Sequence, residues 1–342
     1  MKRYSEYPLP VVEDVARLRR RIERSGLPDK RSDSNLLVGT WNIRALGGFH
    51  PRWAENTDSP KRNLRSLALV AEVVRRFDVI AIQEVKRDTS AIRTLLSDFL
   101  GANWGMIVSD VTAGSAGNAE RLAFVYDKRR VQPSGLAGEI VLPPSADSSG
   151  APLPAEQFAR TPYIVGFVAG EERFVLLTVH IKYGDVPEDR LPELRAMAEY
   201  AAFEIRDRAR LAESEEANVI VLGDFNIDKR GDNPLFQTFV STGLIVPAEL
   251  LGLKTTYGSE PKYYDHIAWF MGDFELDYSG RAGVIDFADA VYQEITMRQM
   301  SYRVSDHFPL WVEFITDHSA QQMAPTLGLD PAMPNPLEAV PD

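Results

Sequence analysis

The chain has 342 residues, 44% of them hydrophobic, with a formal net charge of -11 and no cysteine. That length and apolar content provide for a substantial core in one large domain or two, and the missing cysteines exclude disulfides, thiolate metal sites and a cysteine nucleophile. The acidic balance argues against a passive nucleic-acid coat, which needs a basic surface. An enzyme that meets phosphate through a divalent cation is less constrained, because the cation supplies local positive charge. No stretch approaches the roughly 20 apolar residues that span a bilayer. The N-terminal MKRYSEYPLPVVEDVARLRRRIERSG has charges where a signal peptide needs its apolar core, so the cytoplasm is the expected compartment.

Residues 11–24 carry Val11, Val12, Val15, Leu18 and Ile22 at helical spacing, opposite an arginine-rich face. They predict an amphipathic helix appended ahead of the main domain, with a polar linker to about Asn35, so that residues 1–35 stand as a separate unit. The basic face is either a solvated surface or a docking face for a partner or an acidic polymer. From Leu36 to Ile315, strand runs alternate with helical ones. LLVGTWN (36–42), DVIAIQE (78–84), RLAFVYD (121–127), TPYIVGFVAG (161–170) and ERFVLLTVH (172–180) read as strands, as do NVIVLGD (218–224), YDHIAWF (264–270) and SDHFPLWVEF (305–314). Residues 61–77 and 188–213 read as helices, and 142–157 as a Pro/Ser-rich loop. Residues 316–342, rich in proline and without periodicity, are expected to form a disordered tail. The layout predicts one α/β domain over 36–315, built of two packed sheets flanked by helices.

The chemistry gathers at strand ends. Asn42 closes LLVGTWN, Glu84 closes DVIAIQE and His180 closes ERFVLLTVH; Asp224 and Asn226 follow NVIVLG, Asp265 opens DHIAWF, and Asp306 and His307 precede FPLWVEF. Polar and charged groups are costly at the ends of buried strands unless paired or bound to a cation. Any one of them alone is most simply a satisfied strand terminus. As a set they share residue type and strand-end position, which independent caps have no reason to do. Asn42, Glu84, Asp224, Asn226 and Asp306 offer hard oxygen donors, suited to Mg²⁺ better than to Zn²⁺. His50 falls in a loop and His318 in the tail, whereas His180 and His307 lie beside the oxygen cluster. Imidazole there can take a proton from water or give one to a leaving oxygen. Glu120 and Asp265 are the available orienting carboxylates, and His266, next to Asp265, points to the other face of its strand.

No G-x-S-x-G elbow and no Walker A pattern occur, which disfavours serine-hydrolase and P-loop chemistry. With TWNIR, VIAIQEVKRD, AERLAFVYD, FARTPYIVGF, TVH, VIVLGDFNID, YDHIAW, DFADAV and SDHFPLWV in this order, the chain resembles the endonuclease/exonuclease/phosphatase superfamily, and within it deoxyribonuclease I-like nucleases, from about Leu36 to Ile315. The resemblance implies a four-layer α/β/β/α sandwich of two packed mixed sheets with the site at the top. It implies that Glu84 and Asn42 hold Mg²⁺ with Asp306 nearby, Mn²⁺ substituting and Ca²⁺ a further candidate. His180 would pair with Glu120 and His307 with Asp265, one dyad activating water and the other protonating the leaving oxygen. Asp224 and Asn226 would bind the scissile phosphate or a second cation. Arg44 and Arg160 would contact phosphates, and Lys86 would enter the minor groove. The implied substrate is nucleic acid, DNA first.

Where the nuclease family carries a tyrosine-lysine pair that packs on DNA, this chain has Asn118 and Ala119. Abasic-site repair nucleases usually lack a histidine at the position of His180, and inositol polyphosphate phosphatases carry a C-D-R-I pattern where this chain reads YDHI. Bacterial sphingomyelinases share His180, GDFN and SDH and stand as the enzymatic alternative; AERLAFVYD favours the nuclease. A catalytically silent binding domain is the alternative of another class, and it has no need of such a buried polar set.

Overall fold

The computed structural model describes residues 1–31, 34–54, 59–112, 118–146, 152–153, 157–206, 218–258, 260, 262–270, 274–333 and 336–340. Its strands are β1 (Asn35–Leu46), β2 (Val79–Lys86), β3 (Trp104–Val108), β4 (Glu120–Asp127), β5 (Gln132–Glu139), the short pair β6 (Ser145–Ala146) and β7 (Pro152–Leu153), β8 (Tyr163–Ala169), β9 (Glu172–His180), β10 (Val219–Asp224), β11 (Leu244–Ile245), β12 (Asp265–Phe270), β13 (Asp277–Val284) and β14 (Leu310–Ile315). They form two six-stranded sheets, ordered β13-β14-β1-β2-β4-β3 and β11-β12-β10-β9-β8-β5. Each sheet is built alike. A central parallel pair, β1 with β2 or β9 with β10, is flanked on both sides by antiparallel strands. The parallel pairs therefore end, and their antiparallel neighbours begin, along one shared rim.

Side-chain alternation makes the layers. Leu36, Val38, Val79, Ala81, Leu122 and Phe124 of the first sheet meet Leu176, Ile220, Leu222 and Ile267 of the second in an inter-sheet core. The intervening Leu37, Trp41, Ile80, Ile82, Ala123 and Val125 face outward, onto α1 (Leu9–Arg24) and α2 (Leu64–Val74). Leu177, Val179, Val219 and Val221 face α3 (Leu191–Glu199) and the helix Pro234–Val240. The result is the expected four-layer α/β/β/α sandwich, whose two hydrophobic-facing sheets bury both faces of the central strands.

Several expectations shift. The N-terminal helix is part of the sandwich rather than an appendage: Val11, Val15, Leu18 and Ile22 are buried against α2, while Val12 is 38% exposed. Its arginine face is also engaged within the chain, with Arg19 on Glu72 at 2.8 Å and Arg17 bonded to the Ala290 carbonyl at 3.2 Å. The second long helix runs as a turn at Pro187–Arg190, α3, and a wider helical turn at Tyr200–Arg206; its predicted remainder, 207–213, lies outside the described residues. Much of the 142–157 loop also lies outside them. The tail, expected without structure, carries short helical turns at Ser319–Met323, Ala324–Leu327 and Pro336–Ala339, with Ala324 fully buried; its residues 334–335 and 341–342 lie outside the described residues.

Candidate active site

The candidate site continues the inter-sheet core past its hydrophobic end. Along β1 the inward positions run Leu36, Val38, Thr40, Asn42; along β9 they run Leu176, Thr178, His180; along β10, Ile220, Leu222, Asp224. Glu120 stands before Leu122 and Phe124 on β4, and Asp265 before Ile267 and Trp269 on β12, in the same phase. Ladder register places Asp224 opposite both His180 and Asp265. Below this layer, Gln83 bridges the sheets by hydrogen bonds to Thr40 at 3.1 Å and Thr178 at 2.9 Å. Glu84 follows inward-facing Gln83, so plain alternation would turn it away from the site. A register shift between Ile82 and Val85 and a left-handed backbone at Glu84 (φ 62°) bring it back. A non-glycine residue held in that region costs on the order of 1 kcal/mol and persists only where its surroundings fix it.

The centre of the arrangement is Asp224. Its Oδ2 accepts a 2.8 Å hydrogen bond from Asn42 and lies 3.6 Å from His180 Nε2 and 3.8 Å from His307 Nε2. On the far sides of the rings, His307 Nδ1 is 2.8 Å from Asp265 Oδ2, and His180 Nδ1 is 3.0 Å from Glu120 Oε2. Two imidazoles, each backed by its own carboxylate, thus face one oxygen across the seam between the sheets. Asn42 also donates to Glu84 Oε1 at 3.0 Å, and the Ala45 N–H donates to Glu84 Oε2 at 2.8 Å.

The two carboxylates are tuned in opposite directions. Burial opposes ionisation of Glu120, but His180, Arg160 and Lys86 outweigh it and hold its carboxyl well below the usual range. Burial raises the Asp265 carboxyl to about 6, helped by the charge of Asp224, and the pull of His307 and a hydrogen bond from Thr255 offset this only in part. Burial likewise opposes the charge on His307, and the fields of Asp265 and Asp224 overcome it, raising the imidazole above its ordinary value.

The expected phosphate contacts are placed differently. Arg160 Nε donates to Glu120 at 2.6 Å and Lys86 Nζ to Glu120 at 2.8 Å, so both cations brace the carboxylate behind His180. Arg44 pairs with Asp306 at 2.9 Å and lies over the Tyr302 ring at 4.0 Å. Asp306, expected near the metal, is thereby held by an arginine. Asn226 donates its amide to the Ile181 carbonyl at 2.6 Å and its backbone N–H to Asp224 Oδ1 at 2.9 Å, bracing the ends of β9 and β10. His266 is fully buried among Phe225, Phe236 and Phe239, on the other face as expected.

Supporting residues escaped the sequence reading. Arg62, buried within the protein, donates to the carbonyls of Arg44, Ala45, Arg303 and Val304, fixing both segments that flank the site. Burial lowers its guanidinium to about 10, which still leaves it charged near neutrality. Ser305 accepts from the His307 N–H at 3.0 Å and donates to the Asn42 carbonyl at 2.6 Å. Ser305 adjoins Asp306 and could have been noticed; Arg62 sits in a polar run with no period to mark it.

The donor chemistry fits a hard divalent cation. Asn42 Oδ1 and Asp265 Oδ1 are buried without a hydrogen-bond partner among the described residues, and Glu84, Glu120 and His180, like Asp224, Asp265 and His307, converge closely enough to share an ion. Comparison with known proteins agrees with this geometry. The Endonuclease/Exonuclease/phosphatase family model matches residues 39–307, and the chain belongs to that family. It is 28% identical over 328 residues to a deoxyribonuclease of Thioalkalivibrio sp. (strain K90mix), spanning 90% of this chain and 81% of that one. It is 23% identical over 201 residues to deoxyribonuclease gamma of Rattus norvegicus, spanning 56% of each chain. The fold is shared with an endonuclease/exonuclease/phosphatase structure from Bacteroides vulgatus at a TM-score of 0.55 and 15% identity, over 83% of this chain and 99% of that one. The protein is a phosphoester hydrolase of this family, whose enzymes depend on divalent metal.

Proposed function

We propose that the protein is a divalent-metal-dependent endonuclease of the deoxyribonuclease I type, hydrolysing phosphodiesters in DNA. The observation that supports this reading best is the approach of both histidines to Asp224 Oδ2, at 3.6 and 3.8 Å, one from the end of β9 and one from just before β14 in the other sheet, each backed by a carboxylate of the sheet opposite its own. Opposed imidazoles suit in-line displacement: one takes a proton from the attacking water while the other gives one to the leaving oxygen. Glu120 and Asp265 orient the rings and stabilise the imidazolium as it forms. Asn42 and Glu84 would hold Mg²⁺, which would supply charge stabilisation at the phosphate. The Asn42 amide, donating toward Asp224, fixes where its own oxygen points.

The acidic net charge fits an enzyme that recognises phosphate through a metal at the site rather than through a basic surface. The expected result is Mg²⁺- or Mn²⁺-dependent nicking of supercoiled plasmid, abolished by EDTA and by His307→Ala. Release of phosphocholine from sphingomyelin without cleavage of any nucleic acid would move the protein to the sphingomyelinase branch.

A further inference from the structure

On the His307 side of the site the chain carries an aromatic surface that the chemistry above does not use. After β9 the backbone passes Tyr183, a residue 54% exposed. One face of that ring lies 4.3 Å from the guanidinium of Arg190, a residue only 2% exposed. Arg190 also donates to the Tyr183 carbonyl, to the Asn226 carbonyl at 2.6 Å and to Asp228 at 2.6 Å. One buried arginine thus ties the loop after His180 to the loop after Asp224 and backs the Tyr183 ring. The ring meets Tyr264 edge-on at 6.1 Å, and Tyr264 in turn packs 5.9 Å from His307. A cavity of about 420 Å³ opens beside it, lined by Tyr183, Arg190, Asp228, Lys229, Asn233 and Lys262 among others. Asp228 is already matched by Arg190 and by Lys262 at 3.2 Å, so its charge is largely offset.

We propose that Tyr183 is a stacking platform for an unpaired nucleobase next to the scissile phosphate. This rests on the nucleic-acid reading of the site and narrows it to single-stranded or locally opened substrate. A half-exposed ring with one face held against a guanidinium offers its other face already oriented, and every base presents a π-face to stack on it. In a closed duplex those faces are covered by neighbouring pairs, whereas a single strand can splay a base into the cavity. Lys229 and Lys262 place positive charge where the adjoining backbone phosphate would run.

The test uses the full chain with His307→Ala to suppress cleavage. The probe is a short single-stranded oligonucleotide carrying a fluorescent adenine analogue quenched by stacking, alongside the matching duplex. Adding Tyr183→Ala should weaken single-strand binding roughly tenfold, about 1.4 kcal/mol, and relieve the quenching. Tyr183→Phe should retain both, and duplex affinity should change by less than about twofold. Equal single-strand affinity with and without the ring, or no single-strand binding at all, would overturn the platform. Plasmid nicking by the otherwise unaltered protein is read separately: a chain that nicks but ignores Tyr183 keeps the nuclease reading and loses this one.

Discussion

The two ends of the central strands bury carboxylates in opposite ways. At the end away from the site, Asp78 pairs with Arg130 at 3.0 Å and Lys30 at 3.3 Å, while Asp127 pairs with Lys30 at 2.8 Å and Arg129 at 2.7 Å. At the site end, among the described residues, no lysine or arginine forms an ion pair with Glu84, Asp224 or Asp265. The first end is neutralised by the chain itself. The second leaves negative charge that imidazoles only partly offset, and a buried charge without a counter-ion is strongly disfavoured. On the proposed reading, the difference separates carboxylates that hold the fold from carboxylates that would meet a cation and a reacting phosphate.

The sharpest way to break this comparison is to remove the imidazoles. His307→Ala and His180→Ala should each lower phosphodiester hydrolysis by roughly 10²–10⁴-fold with the fold intact, and the double variant should lose little more, as expected of groups acting as a unit. Multiplicative losses would show that the two rings act separately. Next in size is the metal: Glu84→Gln should raise the Mg²⁺ concentration for half-maximal rate by roughly 10–100-fold. Mg²⁺ should raise the Tm of the unaltered protein and fail to do so in Glu84→Gln. An unchanged requirement would move the metal to other residues. Arg160→Ala then tests Glu120, a site carboxylate that cations do meet. If Arg160 braces Glu120, kcat should fall about tenfold while the salt dependence of DNA binding stays put; a shallower salt slope, by about 1, would make Arg160 a phosphate contact instead.

What could be read from the chain follows the same division between centre and edge. Every strand read from hydrophobic pattern is interior to its sheet. In the two six-stranded sheets the unread strands, β3, β5, β11 and β13, are the outermost ones, and the short β6–β7 pair, also unread, forms a sheet of its own. An edge strand has one neighbour and a more exposed surface, so its sequence need not alternate; QPSGLAGE of β5 is almost wholly exposed. Candidate-site residues are legible where alternation places them on one rim, as with Asn42, His180 and Asp224. Glu84 faces the site only through a register shift and a left-handed backbone that no pattern announces. The engagement of Arg44, Lys86 and Arg160 with Asp306 and Glu120 was not legible either, since which carboxylate an arginine reaches depends on contacts far apart in the chain. The same holds for α1, whose apolar stripe marks a buried face without saying that α2 covers it.

The smallest effect tests the other end of the strands. Burial opposes ionisation of Asp127, but the hydrogen bonds from Arg129 and Lys30 outweigh it and hold its carboxyl below the ordinary value. A carboxylate depressed in the folded state stabilises it fully above the unfolded pKa of ~3.9, and that contribution disappears as the pH falls through the folded value. Asp127→Asn should therefore lower stability by about 2 kcal/mol near neutrality, leave hydrolysis unchanged, and converge on the unaltered protein as the pH drops below about 4. Denaturant melts across that range, with plasmid nicking as the control, check all three. The converse variant, Asp224→Asn, should remove activity while leaving stability without metal equal or higher, because among the described residues no lysine or arginine pairs with the negative charge it deletes. Should both substitutions cost stability alike, the site carboxylates would be part of the scaffold, and the case for a cation resting on their unpaired charge would fail.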